Sequence, residues 1–277
     1  MLSNLTKKWL GQHMLNLFSR LFWVKLPDRL QVYLSELFSK VFRLKFTALF
    51  IIPYCLIFSL DTDYTNQFEP ESGDSRYSSF NDFFKRRYKI FPKVQSDLIW
   101  PCEGFICDWG AFSEKNNSIV KGQKIDLNQI FQSNPEKTRD HFFVNVFLHN
   151  HNYHRVHSPV DGEVKSIVRI PGGLVFLRPW FYDRKDVSYP AFKNERVVIE
   201  VLDKKNKSWW IALVGGFGVG SIDVTNGIQV GTSIQMGQEI GKFNLGSTVC
   251  IASPCPISIE KYLQTITVGG KIIAKQV

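Results

Sequence analysis

The hydrophobic pattern divides the chain into a helical beginning and a β-rich remainder. From Leu30 to Leu44, apolar residues fall at 30, 33, 34, 37, 38, 41, 42 and 44. That is the i, i+3, i+4, i+7 spacing of an amphipathic helix. Pro27-Asp28 predicts its start, with Asp28 as N-cap, and Gln31, Ser35, Glu36, Ser39, Lys40 and Arg43 form its polar face. The next stretch, "FTALFIIPYCLIFSL" (46–60), has fifteen residues without a charge. A membrane-spanning helix needs about twenty, and Pro53 interrupts this one, so the pattern predicts a shallow or re-entrant anchor. A helix buried against the protein body fits this run equally well. The basic, amphipathic stretch beside it favours membrane contact.

Residues 61–78, "DTDYTNQFEPESGDSRYS", read as a polar, acidic linker. A short helical piece follows over 78–89. The chain then turns β-rich, with strand candidates near 98–107, 117–120, 142–149, 163–169, 173–178, 196–202, 208–214, 229–234 and 248–252. The pair 196–202 and 208–214 reads as a hairpin about Asp203–Lys207. The expected organisation is a membrane-associating segment (1–60), a linker (61–78) and a catalytic domain (79–277). The expected fold class is α+β, mainly β: N-terminal helices before a β-sandwich core.

Charge sharpens this picture. Of a net +9 over 277 residues, +6 falls in residues 1–60, where eight Lys/Arg face only Asp28 and Glu36. Such a segment attracts phosphates, and its aromatic and aliphatic content points to an anionic lipid surface rather than nucleic acid. The five cysteines have no zinc-ribbon spacing and are odd in number, and no cleavable signal pattern is visible. Reduced thiols in a cytosol-like compartment are expected.

Two phrases share a pattern: "PCEGFI" (101–106) and "PVDGEV" (159–164). Each is a tight turn leading into a strand, which suggests duplicated elements of the barrel-sandwich-hybrid kind. Lipoyl- and biotinyl-carrier sandwiches use similar turns, but their Met-Lys tip is missing here. The densest chemical signal is "HNHNYHRVHSPVDG" (149–162), with four of the six histidines in nine residues. His149 and His151 would share one strand face as metal ligands, yet no Cys or carboxylate follows at ligand spacing apart from Asp161. With Tyr153 and Arg155 alongside, the cluster reads better as an active-site wall than as a metal centre or a polar loop.

A third short phrase, Gly246-Ser247-Thr248, sits at a strand edge. A bulge or turn explains it in isolation. In the order "SFNDFFKRRYK" (79–89), "PCEGFI", "VKGQKIDLNQIF" (120–131), "YHRVHSPVDGEV" (153–164), "KNERVV" (193–198), "VGGFGVGSI" (214–222) and "MGQEIGKFNLGSTV" (236–249), however, the chain resembles the phosphatidylserine decarboxylases, which are self-processing, pyruvoyl-dependent membrane enzymes. "YHRVHSP" followed by "F-x-x-GST" is the specific combination.

The resemblance implies that Ser247 attacks the Gly246 carbonyl, cutting the chain into β (1–246) and α (247–277) pieces that stay associated. Ser247 then becomes a covalent pyruvoyl cofactor. It implies His157 as the base, an acid at Glu103 that orients it, and His154 as acid/base in the decarboxylation, with no metal. The pyruvoyl carbonyl would form a Schiff base with the serine headgroup, and phosphatidylethanolamine would be released. A peripheral location on the cytoplasmic face of a bacterial membrane, a phospholipid substrate and a homodimer are also implied. The sequence departs from the family pattern at Glu103, where aspartate is usual and Asp108 lies nearby, and at "HNHN" before Tyr153. Alternatives are a decarboxylase of another amino-acid-headgroup phospholipid, a poorly processed homologue, or a non-enzymatic membrane-associated carrier or scaffold. A soluble pyruvoyl amino-acid decarboxylase is disfavoured by the N-terminal anchor.

Overall fold

The computed structural model describes residues 22–58, 60–94, 96–116, 119–120, 123–124, 126–216, 222–244 and 247–274. Helix α1 (Asp28–Phe42) forms where the periodicity predicts it, with Pro27 as N-cap and Asp28 as the first helical residue. A 3-10 segment (Lys45–Phe50) continues into α2 (Ile51–Phe58), at 83° to α1. The break falls just before Lys45, not at Pro53. Pro53 occupies the first turn of α2, where its missing N–H has no intrahelical partner to lose. No single helix among the described residues is long and apolar enough to cross a membrane, although the bent pair has the length and composition together.

The surprise in α1 is its orientation. Gln31, Ser35 and Ser39 are buried, while Leu30, Tyr33, Leu37, Phe38 and Val41 face outward. Backbone groups on the body explain this. Gln31 donates through Nε2 to the carbonyls of Trp23 and Leu26 (3.2 and 2.9 Å) and accepts the Leu174 N–H through Oε1 (2.9 Å). Three residues of the polar face turn inside, while Glu36, Lys40 and Arg43 stay exposed beside an outward apolar ridge.

Fifteen strands follow among the described residues: β1 (Phe68–Glu69), β2 (Arg87–Tyr88), β3 (Gly104–Ala111), β4 (Ile119–Val120), β5 (Gln123–Lys124), β6 (Phe142–Leu148), β7 (Arg155–His157), β8 (Gly162–Ile170), β9 (Arg196–Asp203), β10 (Ser208–Gly215), β11 (Ile222–Val224), β12 (Ser233–Ile234), β13 (Glu239–Phe243), β14 (Ser247–Ser253) and β15 (Gln264–Ile266). Eight of them make one antiparallel sheet in the order β12-β8-β9-β10-β14-β6-β3-β15, and β11-β13-β7 make a second. The pairs β1-β2 and β4-β5 are separate ribbons.

Alternate residues of the large sheet supply two cores. Val146, Ile199, Ile211 and Ile251 pack with Val156, Ile240 and Phe243 of the three-stranded sheet. Phe143, Val198, Trp210 and Cys250 pack on the opposite side with Phe112, Ile130, Phe131 and Ala191. Both faces are therefore covered, which is why these strands read as nearly continuous apolar runs.

The β9-β10 hairpin forms as predicted, its turn held by Asp203 Oδ1 accepting the N–H groups of Lys205 and Lys207. The 173–178 stretch forms no strand; Asn194 ties it down instead, accepting the Val175 N–H and donating to its carbonyl. The two Pro-x-acid-Gly phrases do share a local role. Gly104 and Gly162 each open a sheet strand, where a Cβ would strike the carbonyl of Phe147 or of Leu202. Among the described residues, the first and last strands of the large sheet are not hydrogen-bonded into a closed barrel. The architecture is an α+β chain with an N-terminal helix pair and large antiparallel sheets.

Candidate active site

Ser247 is the first residue of β14, a central strand, and its register partners are Gly215 on one side and Leu148 on the other. Its side chain is fully buried, and Oγ has no hydrogen-bond partner. An unpaired buried hydroxyl costs roughly 1–3 kcal/mol, so its retention at a strand end calls for an explanation. Gly246, the other half of the expected cleavage site, lies outside the described residues.

Leu148 ends β6 and leads into the histidine segment, whose first residues, 149–152, form a turn rather than a continuation of the strand. The Asn152 N–H donates to the His149 carbonyl, and Asn152 Oδ1 accepts the His149 N–H, each at 2.8 Å. The rings of His149 and His151 lie 4.3 Å apart, flanked by Phe58 and, on His149, by Trp180. Among the described residues no three His, Cys, Asp or Glu side chains gather as metal ligands.

His154 is completely buried, with its ring 4.0 Å from that of Phe84. Its Nδ1 lies 2.7 Å from the Asn152 carbonyl. A carbonyl only accepts, so Nδ1 carries the proton and Nε2 keeps a lone pair, which has no partner. Burial, reinforced by the Arg86 cation, holds the His154 pKa well below its usual value, so the ring is neutral. The His154 carbonyl accepts the Phe243 N–H at 3.0 Å. Four residues later the chain reaches Ser247.

His157 is also buried and neutral, its pKa lowered to about 4 by desolvation. Its Nδ1 lies 2.8 Å from the Gly237 carbonyl, which makes Nε2 the acceptor, 3.0 Å from the Tyr153 hydroxyl. Both ring nitrogens are thus engaged. Glu103, expected to orient this imidazole, is not hydrogen-bonded to it. The two are linked through backbone: the His157 N–H donates to the carbonyl of Pro101 at 2.8 Å.

The Glu103 carboxylate instead accepts from Asn152 Nδ2 at 2.5 Å and from the Tyr64 hydroxyl at 2.9 Å. Burial raises its pKa, against the pull of these bonds and of the Arg86 cation. Arg86 is buried as well, donating through Nη2 to the carbonyls of His151 and Asn152 (2.7 and 3.0 Å) between the rings of Phe68 and Phe83. Asp108, the alternative acid, lies elsewhere: it accepts from Ser188 and Lys115.

Tyr64, Arg86 and Asn152 were not singled out in the sequence as site residues. Each stands in a phrase that looks like ordinary linker, basic helix or turn, and only the tertiary fold joins them. Arg155 clamps the same neighbourhood from β7, pairing with Glu239 at 2.7 Å and donating to the Lys85 carbonyl. A polar cavity of about 480 Å³ is lined by Arg43, just past α1, by Asn81 and Lys85, and by Asn244, three residues before Ser247.

Comparison with known proteins bears directly on this arrangement. A family model described as phosphatidylserine decarboxylase matches residues 78–275. Proteins named phosphatidylserine decarboxylase proenzyme are similar to the chain along most of its length. The one from Azoarcus is 31% identical over 208 residues, 67% of this chain and 71% of the relative. That from Mannheimia succiniciproducens is 30% identical over 227 residues, covering 72% and 76%. That from Methylobacillus flagellatus is 30% identical over 199 residues, covering 64% and 70%. The matched region contains the whole buried cluster from Arg86 to Ser247, and the chain belongs to the phosphatidylserine decarboxylase family.

Proposed function

We propose that the protein is a self-processing decarboxylase of phosphatidylserine, acting at a membrane surface. The observation that carries this reading is the buried, unpartnered hydroxyl of Ser247, in a chain of this family that also buries two neutral histidines.

In the first reaction Ser247 Oγ attacks the Gly246 carbonyl carbon while a histidine takes the hydroxyl proton. The C–N bond breaks, leaving an ester at Gly246 and a free amine on Ser247. Elimination releases Gly246 as a carboxylate and leaves a dehydroalanine. Its imine tautomer takes up water and loses ammonia to give the pyruvoyl group. When formed, that group supplies a carbonyl that can take the headgroup amine as a Schiff base and hold electrons as carbon dioxide leaves.

The resemblance gives the base role to His157, and its neutral state with Nε2 as acceptor suits that role. The Tyr153 hydroxyl on Nε2 must then relay the proton or give way. A second reading is favoured by the free Nε2 of His154, which would serve as base in the first reaction as well as acid/base in the second. Glu103 supports the site by holding Asn152, whose carbonyl fixes the His154 tautomer.

The outward apolar ridge of α1 and α2, in a basic segment, supports docking on an anionic bilayer. Through the polar cavity beside Arg43 and Asn244 a headgroup would approach Ser247. A homodimer, the cytoplasmic face and the pairing of the two processed chains belong to the same proposal.

The experiment is time-resolved cleavage of newly made protein, followed by conversion of phosphatidylserine vesicles without added pyridoxal phosphate or metal. Ser247→Ala should remain a single inactive chain. His157→Ala should stall cleavage, whereas His154→Ala should cleave but not decarboxylate; the second reading predicts that His154→Ala also stalls. Full decarboxylation by an entirely uncut preparation would overturn the proposal.

A further inference from the structure

The segment that follows the membrane-contacting helices reaches into the site. The outer side of residues 45–58 exposes Leu49, Ile52 and Leu56, but its inner side touches the catalytic neighbourhood. Thr47 Oγ1 accepts the Phe80 N–H at 3.0 Å, Tyr54 packs edge-on against Phe80 and Phe83, and Phe58 lies against His149. A few residues on, the helical turn Thr62–Thr65 is capped by Asp61, whose carboxylate accepts the Tyr64 N–H at 2.6 Å. This turn delivers the Tyr64 hydroxyl to Glu103, 2.9 and 3.1 Å from its two oxygens.

From Glu103 the contacts continue without a gap. Oε1 accepts from Asn152 Nδ2 at 2.5 Å; Asn152 Oδ1 holds the His149 N–H, and the Asn152 carbonyl receives His154 Nδ1 at 2.7 Å. Arg86 Nη2 also reaches the Asn152 carbonyl, at 3.0 Å. The tautomer and orientation of His154 thus depend on a turn whose far end is held by a carboxylate, and the carboxylate is held in part by Tyr64.

We propose that Tyr64 is a positioning residue for the reactions at Ser247, fixing Glu103 and, through Asn152, His154. The linker is then a structural part of the active site as well as the tether of the membrane helices. This inference rests on the function proposed above, which supplies the reactions, but its geometry stands apart from the identity of the base.

Tyr64→Phe removes one oxygen and keeps the ring against Phe68, 5.0 Å between centroids. Misplacing a catalytic group by about 1 Å costs on the order of a hundredfold, and Asn152 still holds Glu103 in this variant, so the expected loss in decarboxylation rate, the step that uses His154 in either reading of the base, is about tenfold. Vesicle binding should be unchanged. The groups facing Glu103 are Arg86, Tyr88, Cys102, Asn152 and the Tyr153 N–H. Removing the Tyr64 donor weakens the charged carboxylate, so the acid limb of the rate profile should move to higher pH. Tyr262→Phe, whose ring lies by Arg184 on the opposite side of the large sheet, is the control and should match the parent.

A second measurement does not require catalysis. In the uncut Ser247→Ala protein, Tyr64→Phe should shift the 15N signals of the His154 ring and leave those of His141 in place. A parental decarboxylation rate and pH profile in Tyr64→Phe, or an unmoved His154 signal, would overturn the inference. If the parent never cleaves, the proposed function fails, and the spectrum alone decides the role of Tyr64.

Discussion

Replacing Leu49, Ile52 and Leu56 together by serine tests what the exposed ridge is for. These side chains are 77, 72 and 75% exposed, so the protein's own packing should hardly notice their loss. Fully burying such a side chain is worth about 1.5–3 kcal/mol. With three quarters of each available to lipid, each should contribute about 1–2 kcal/mol on insertion, or about 4–5 kcal/mol for the three. At 1.4 kcal/mol per tenfold, the triple variant should bind anionic vesicles about a thousandfold more weakly. The nearby basic residues contribute about 1 kcal/mol each near an anionic surface, and salt screens them. Flotation with phosphatidylserine-containing liposomes at low and high salt separates the two. The parent should stay bound at high salt and the variant should not, while their thermal melts coincide. Equal flotation of the two at high salt would refute the reasoning, since the ridge would then not insert.

Glu103→Ala leaves Asn152 and Tyr64 without their buried acceptor and should slow self-cleavage at least a hundredfold in a gel time course, while Glu103→Asp should process at a comparable or lower rate. Normal kinetics in Glu103→Ala would remove this residue from the mechanism. A pH effect follows from His157, whose folded pKa of about 4 lies below its ordinary 6.5. Protonation then favours the unfolded chain, so this contribution to stability is present above pH 6.5 and is lost as pH falls toward 4. Between pH 7 and 4.5 it amounts to about 2–3 kcal/mol. Urea denaturation of Ser247→Ala with and without His157→Gln should therefore show a difference that shrinks by that amount at the lower pH.

Helix α1, the β9-β10 hairpin and the central strands were legible because each follows one local rule: a 3.6-residue period, a turn flanked by apolar runs, or a charge-free stretch. The short strands Arg155–His157, Ile222–Val224 and Glu239–Phe243 were not, because three to five residues hold too little periodicity to compete with their turns. The orientation of α1 was also hidden. A pattern states which face is apolar but not what lies opposite, and here Gln31 finds backbone partners inside.

At the site, motifs marked Ser247, His154, His157 and Glu103, and the fold buries all four. Their mutual contacts were not written in the motifs. Glu103 meets Asn152 and Tyr64 rather than His157, because the "HNHN" turn and the linker bring two polar side chains to its oxygens first. Residues 1–21, which carry part of the positive charge, lie outside the described residues.

The measurement that bears most directly on the account is the intact mass of the purified protein. It should resolve two chains, one ending at Gly246 and one of 31 residues beginning at position 247. The smaller should be lighter by one ammonia than a peptide beginning with serine, and should resist Edman degradation. A single chain at full-length mass, with phosphatidylserine decarboxylated at full rate, would contradict it.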